Sequence, residues 1–305
     1  MAGGVSVAAF APAKINLYLH VLGRRPDGYH RLDSLIAFAD IGDEITAAPA
    51  DTLTLTVSGP EAAAIAGLGD DNLVLRAARM LRERAGIAAG AALHLDKRLP
   101  AAAGIGGGSS DAAATLRALS RLWGQPLDDK SLAALALQLG ADVPACLAAR
   151  PVWVDGIGEQ LGPAASLPAA GIVLANPRRP LPTADVFRRR SGVFSQAGRF
   201  EPMPADAAGL AAALASRRND LTEAAVALVP EIGAVLDRLA GLPGALLARM
   251  SGSGATCFAL FADRAAALAA GRALAAAEPG WWTAAGALLA APPAVDESAA
   301  GSERR

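Results

Sequence analysis

Lysine is scarce in this 305-residue chain: Lys14, Lys97 and Lys130 are the only three, and arginine supplies the other 25 basic residues. Cysteine is scarcer, with only Cys146 and Cys257 far apart in sequence, and there are three histidines. None of these falls at metal-ligand spacing, which excludes a structural zinc site, and two distant cysteines make no disulfide framework. Charge of one sign is lacking too: 28 basic residues face 29 acidic ones, for a formal net charge of -1, with no basic block. An electrostatic nucleic-acid binder needs many clustered phosphate contacts, so that class is excluded. The opening MAGGVSVAAF has no basic n-region, apolar core or cleavage site, and the expectation is a reduced, cytoplasmic protein. Although 53% of the residues are hydrophobic, alanine supplies the largest share of them, and Arg264 and Arg272 interrupt stretches such as 265–276. No transmembrane helix is expected.

Along the chain, the dense β-friendly run from Ala8 to Leu22 predicts a buried strand or strand pair, followed by a turn at Arg24 to Gly28. Leu32 to Ala39 and Asp51 to Ser58 read as further strands, and the alternation Leu53, Leu55, Val57 suggests a half-buried antiparallel one. Asn72 is placed to cap a helix carrying Leu73, Ala77, Met80 and Leu81, which Gly86 closes. A short strand, 91–95, leads to a glycine-rich loop running into a helix with Ala112, Leu116, Leu119 and Trp123 on one face. Another helix over 131–139 stops at Gly140. Strands over 152–158 and 171–175 flank Gly162 to Pro168, the best candidate for a domain boundary. The second half predicts helices near 206–215, 220–228 and 231–240, strands at 244–250 and 257–261 around the turn Ser251 to Gly254, and a helix ending at Ala277. The tail, 292–305, lacks periodicity and is expected to be disordered.

Gly104-Ile105-Gly106-Gly107-Gly108-Ser109-Ser110-Asp111 is the strongest local signal. Its glycines allow a tight turn with inward N–H groups, and the following helix adds free donors and a positive dipole end, which together suit a polyphosphate. It is neither a P-loop, because no lysine follows, nor a clean dinucleotide fingerprint, because Ser109 stands at the last glycine. A flexible connector capped by Ser109 or Ser110 is the plain alternative. Asp142, between Gly140 and Pro144, reads by spacing alone as an N-cap. A catalytic role would require a cation beside it, and Lys14, set in an apolar segment where an unpaired charge is costly, is the candidate. Tyr29, His30 and Phe187 are ambiguous between filler and a base-stacking site. No G-x-S-x-G nucleophile elbow is present.

Taken together, Pro12-Ala13-Lys14-Ile15-Asn16-Leu17, the Gly104 to Asp111 loop and Ser251-Gly252-Ser253-Gly254-Ala255 resemble the GHMP family of small-molecule kinases, in order and across nearly the whole chain. Arg25-Pro26-Asp27-Gly28-Tyr29-His30, Leu99-Pro100 and Gly140-Ala141-Asp142-Val143-Pro144 narrow the likeness to the branch acting on a cytidine-diphosphate sugar alcohol. The Asp-Gly-Tyr-His run is far more specific than any glycine loop. The resemblance implies a two-domain α/β (α+β) fold. Residues 1–162 would form an S5-like N-terminal domain with the phosphate loop, and residues 163–291 a ferredoxin-like α/β domain.

The same resemblance implies an ATP-dependent phosphotransferase of isoprenoid precursor biosynthesis whose acceptor is the 2-hydroxyl of 4-diphosphocytidyl-2-C-methyl-D-erythritol. Asp142 would take the hydroxyl proton and Lys14 would keep Asp142 ionised and steady the hydroxyl. ATP would lie along Pro100, Ala101, Ala102, Ala103, Gly104, Ile105, Gly106, Gly107, Gly108, Ser109 and Ser110, with Lys97 as a nucleotide contact, although Arg98 beside it leaves the choice open. Asn16, Ile157 and Asp142 would hold the acceptor, Tyr29 and Phe187 would sandwich the cytosine, and His30 would bond its edge. Magnesium would come with ATP; no metal ligand is assigned, and Ser109, Ser110 and Asp111 are candidates only. No tightly bound cofactor, nucleic acid or membrane partner is implied, and the chain would be a monomer or weak homodimer. Another GHMP kinase, for homoserine or mevalonate, is the same-fold alternative, and a catalytically silent nucleotide-binding protein is the one from another class. Residues 192–215 match no pattern.

Overall fold

The computed structural model describes residues 5–124 and 127–299. Its first two strands, β1 (Val5–Arg24) and β2 (His30–Ala50), form a long antiparallel hairpin. They are joined where the Arg25 N–H donates to the Tyr29 carbonyl at 2.7 Å and Gly28 turns with φ +92°. β1 is buried without interruption from Ala11 to Val21, as its dense apolar run requires. The ladder shifts register at Pro12/Lys14, Asn16/Tyr18 and Val21/Gly23. Bulges of this kind release backbone groups from the ladder and bend the strand. Beside them, the Lys14 N–H donates to the Ile105 carbonyl at 2.9 Å and the Asn16 N–H to Ser251 Oγ at 3.1 Å, so β1 is tied to both glycine loops.

β3 (Leu53–Ser58) alternates half-buried and exposed residues as expected, but its partner direction is corrected. The chain crosses through α1 (Leu73–Arg84) before β4 (Gly90–Asp96), and β3 pairs parallel to β4. Alternation reports which face is buried and carries no information on direction; a helical crossover imposes the parallel one. Asn72 caps α1, its side chain accepting the Val74 N–H at 2.9 Å.

α2 (Gly107–Leu122) is buried at almost every position from Ser110 to Leu119. Its Ala112-Ala113-Ala114 run lets it lie close on the β1–β2 sheet, which is where much of the alanine excess goes. α3 (Asp129–Leu139) and α4 (Val143–Ala148) follow, then β5 (Val152–Asp155) on β2 and β6 (Gln160–Pro163) on β5. A second sheet starts at β7 (Gly171–Asn176). After it come α5 (Thr183–Arg189), α6 (Ala207–Ala215), α7 (Thr222–Leu228), α8 (Glu231–Ala240), β8 (Leu247–Met250), β9 (Cys257–Phe261), α9 (Arg264–Ala277) and β10 (Trp282–Ala287). Its order is β10-β7-β9-β8, all antiparallel.

The expected disordered tail is corrected in part. Val295–Ala299 form β11, antiparallel to β1 at the edge of the first sheet, whose path runs β11-β1-β2-β4-β3. An edge strand draws its order from backbone pairing, which leaves no hydrophobic period to read. Residues 300–305 lie outside the described ones.

Three cores result. Val7, Ala9 and Ala11 of β1 join the first, under α1 and α2. Beyond the register shift, Ala13, Ile15 and Leu17 pack against Ile172, Leu174, Phe258 and Leu260 of the second sheet. The third lies between that sheet and α5, α7, α8 and α9. The bulged strand β1 thus runs between two layers, with Lys14 and Asn16, two residues apart and on one face, where they meet.

Candidate active site

At the N-terminal cap of α2, Gly106 takes φ +64°. A Cβ there would lie 3.1 Å from the Lys14 Cβ, so glycine both permits the turn and leaves room for the lysine stem. Gly104 has φ +76°, and a Cβ on it would meet the carbonyls of Gly254 at 2.6 Å and Ser251 at 2.7 Å. The two glycine loops touch backbone to backbone, and Ser251 Oγ donates to the Gly104 carbonyl at 3.1 Å. They wall a cavity of about 480 Å³ that also contains Lys14, Asn16 and Asp142. The first-turn amides of the 16-residue helix α2 have no intrahelical acceptor, and Gly107, Gly108 and Ser109 line this cavity.

Asp142 stands at the cap position of α4 but makes no capping bond. Its Oδ1 instead accepts from Lys14 Nζ at 2.7 Å. The lysine side chain is 7% exposed and the aspartate 46%, so one carboxylate edge faces the cavity while the cation is enclosed. Asn16 lines the cavity; its Nδ2 donates to Ser34 Oγ at 2.8 Å, whereas its Oδ1 is buried without a partner among the described residues.

Beneath the same loop, Lys97 Nζ donates to Asp43 Oδ2 at 2.6 Å and Asp111 Oδ2 at 2.7 Å, with all three side chains buried. Asp43 Oδ1 accepts the N–H groups of Arg98 and Leu99, fixing the chain where it enters the loop. Burial, with the nearby Asp43 charge, pushes the Asp111 carboxyl up to about 8, while Lys97 opposes the shift. Burial pushes the Cys146 thiol up to about 12, which leaves it un-ionised and a poor nucleophile.

A second chamber of about 830 Å³ adjoins the first, the two sharing Leu32, Ile157, Thr183 and Phe187. Tyr29, 61% exposed, stands on its wall. The His30 and Phe187 rings stack with centroids 5.3 Å apart and planes 25° apart. Burial first, then the charges of Arg24 and Arg190, lower the His30 pKa from its usual value and keep the imidazole neutral at pH 7. Thr183 and Ser253 hydroxyls, 2.8 Å apart, close the joint between the chambers.

The family of the GHMP kinases N terminal domain matches residues 72–150, and that of the GHMP kinases C terminal matches residues 205–280. A 4-diphosphocytidyl-2-C-methyl-D-erythritol kinase of Paramagnetospirillum magneticum is 55% identical over 271 residues, 89% of this chain and 94% of that protein. The chain belongs to the 4-diphosphocytidyl-2-C-methyl-D-erythritol kinase family of GHMP kinases. A crystal structure of 4-(cytidine 5'-diphospho)-2C-methyl-D-erythritol kinase superposes with a TM-score of 0.73 at 38% identity, covering 92% of this chain and 98% of that one. A mevalonate kinase of Methanococcus jannaschii, at 11% identity and a TM-score of 0.67 over 93% of this chain and 98% of its own, shares the fold alone.

Against the residues expected from the kinase motifs, the first cavity gathers Lys14, Asn16, Asp142, Ala102, Ala103, Gly104, Gly106, Gly107, Gly108 and Ser109. Pro100, Ala101 and Ile105 do not line it. Ile105 is wholly buried and serves through its carbonyl. Ser110 is turned inward, its Oγ donating to the Pro12 carbonyl at 2.6 Å. Lys97 is neither on the cavity nor part of an exposed basic pair; it is sealed by two carboxylates, while Arg98 is exposed. Of the three metal candidates, only Ser109 reaches the cavity, and among the described residues no group of three or more His, Cys, Asp or Glu could hold a metal ion. Ile157, Tyr29, His30 and Phe187 meet in the second chamber. Sequence reasoning gave no role to Ser253, although it lies within the Ser251 to Ala255 segment, or to Thr183, and it passed over Arg24 and Arg190, which carried no signal. Among the described residues no helix is long and apolar enough to cross a membrane.

Proposed function

We propose that this chain transfers the γ-phosphoryl group of ATP, taken up with magnesium, to the 2-hydroxyl of 4-diphosphocytidyl-2-C-methyl-D-erythritol, giving the 2-phosphate and ADP in the non-mevalonate route to isoprenoid precursors. The observation that carries the reading is the Lys14–Asp142 pair at 2.7 Å, set between the glycine-loop amides and the opening to the aromatic chamber. Asp142 accepts the hydroxyl proton as the oxygen attacks. Lys14 donates to the carboxylate and holds it in place beside the acceptor hydroxyl. The α2 amides receive the phosphate charge of the nucleotide, and phosphoryl transfer asks for little beyond such positioning and charge stabilisation. Magnesium, as part of the nucleotide substrate, offsets charge on its phosphates. The Asn16 Oδ1 without a partner suits an acceptor hydroxyl. Phe187 offers a stacking face at the joint, and a neutral His30 can both donate to and accept from a cytosine edge. Buried, un-ionised thiols at Cys146 and Cys257 agree with a reducing, cytoplasmic setting.

Stacking tolerates any base, so the acceptor is the point to test. An ADP-release assay with ATP, magnesium and the cytidine substrate, run beside homoserine and mevalonate, is expected to give turnover with the cytidine substrate alone. Turnover with either control in its place would move the assignment to another GHMP kinase, and ATP binding without turnover on any of them would leave a silent binder.

A further inference from the structure

The aromatic chamber is lined by arginines and holds no aspartate or glutamate among its lining residues. Two of these arginines differ from their neighbours. Arg25 and Arg188 are paired with Asp27 and Asp185. Among the described residues, Arg24 and Arg190 contact only neutral groups: Arg24 Nε donates to the Gly28 carbonyl at 3.2 Å, and Arg190 donates from Nη1 to the Gly192 carbonyl at 3.1 Å and from Nη2 to the Val193 carbonyl. The Arg190 guanidinium also lies over the Phe194 ring, 4.7 Å from its centroid. Its fork is therefore held by two carbonyls and an aromatic face, so little side-chain freedom remains to be lost on binding. Two positive charges without a carboxylate on the lining of one chamber attract an anion from solution. After burial, which is the larger cause, the charges of both also lower the His30 pKa.

We infer that Arg190, assisted by Arg24, determines specificity by binding the phosphate oxygens of a nucleoside diphosphate whose base stacks in the same chamber. The inference rests on the substrate reading above and extends it to a segment, 190–194, that matches no kinase motif. Each Arg190 Nη keeps one N–H beyond its carbonyl bond to meet a phosphate oxygen, and such charge-assisted bonds are about twice as strong as neutral ones.

Binding of cytidine and of cytidine diphosphate to the full-length protein, measured by calorimetry for the wild type and for Arg190→Ala and Arg190→Lys, tests this. The wild type should prefer the diphosphate. Arg190→Ala should weaken the diphosphate about tenfold and leave cytidine within about twofold, a selective loss on the scale of one charge-assisted bond. Arg190→Lys should recover part of it, because charge is kept without the fork. The unchanged cytidine constant reports an intact chamber. An equal loss for both ligands would place Arg190 on the base and overturn the inference, as would an unchanged diphosphate constant. A wild type that binds neither ligand would overturn the substrate reading itself, and this inference with it.

Discussion

Lys14 and Lys97 approach the same glycine loop from different sides. A Cβ on Gly106 would lie 3.1 Å from the Lys14 Cβ, and one on Gly107 would lie 3.2 Å from Lys97 Nζ. Both lysines are enclosed, yet Lys14 has one carboxylate that is 46% exposed, whereas Lys97 has two that are almost wholly buried. A cation with a single half-open partner leaves that partner free to meet a ligand. A cation shared by two sealed carboxylates has no such freedom; it braces the strand exit at Arg98 and Leu99 against the first turn of α2. Identical ion-pair chemistry thus faces the cavity on one side of the loop and braces the loop's shape on the other, and access to the cavity is what separates them.

The sharpest way to break that contrast is to remove one carboxylate or cation at a time. Asp142→Ala should lower kcat by about 10²–10⁴-fold, the usual range for a lost general base, with both KM values and the urea midpoint nearly unchanged. Full activity in that variant would remove Asp142 from the mechanism. Lys97→Met should instead cost about 3–5 kcal/mol of stability in urea unfolding, because the buried Asp43 carboxylate is left without its cation. Lys14→Met should cost clearly less stability, since Asp142 still reaches water; equal losses for the two lysines would erase the distinction.

Moving outward, Phe187→Ala should raise KM for the cytidine substrate by the equivalent of about 1–3 kcal/mol of stacking, and leave KM for ATP alone. An unchanged value would place the base elsewhere. The smallest effect is in pH dependence. The Asp111 carboxyl is pushed up to about 8, so between the unfolded value near 4 and that point the native state binds more protons than the unfolded one. The contribution of Asp111 to stability is therefore fully present below about pH 4 and is lost as pH rises through 8. Asp111→Asn should flatten the difference in urea midpoint between about pH 6 and about pH 9, and an undiminished slope would assign it to another group.

Much of the site was legible because its signals are local. Glycine density at 104–108 announces a tight backbone, and the apolar period after it announces the helix whose N-terminus receives the loop. Asp142 was ambiguous because an N-cap and a free carboxylate have the same sequence signature. Only the absence of a capping bond and the presence of Lys14 separate them. Lys97 was misleading for the opposite reason: it was expected as a nucleotide contact, and the carboxylates that seal it come from 54 and 14 residues away. β11 was missed because an exposed edge strand is ordered by backbone pairing, which no side-chain pattern records.

By itself the sequence determined the backbone freedom at Gly104 and Gly106, the placing of Lys14 and Asn16 on one face of a strand, the course of the helices, and the motifs that mark the family. These follow from conformational preference and short-range period, which act within a few residues. The tertiary structure alone decided that Lys14 meets an aspartate 128 positions away, that Lys97 is a brace beneath the loop, that β3 runs parallel to β4, and that Phe187 and His30 share a chamber with Arg190. Each of these depends on which distant surfaces pack together and where the β1 ladder shifts register, and packing partners leave no period in the chain.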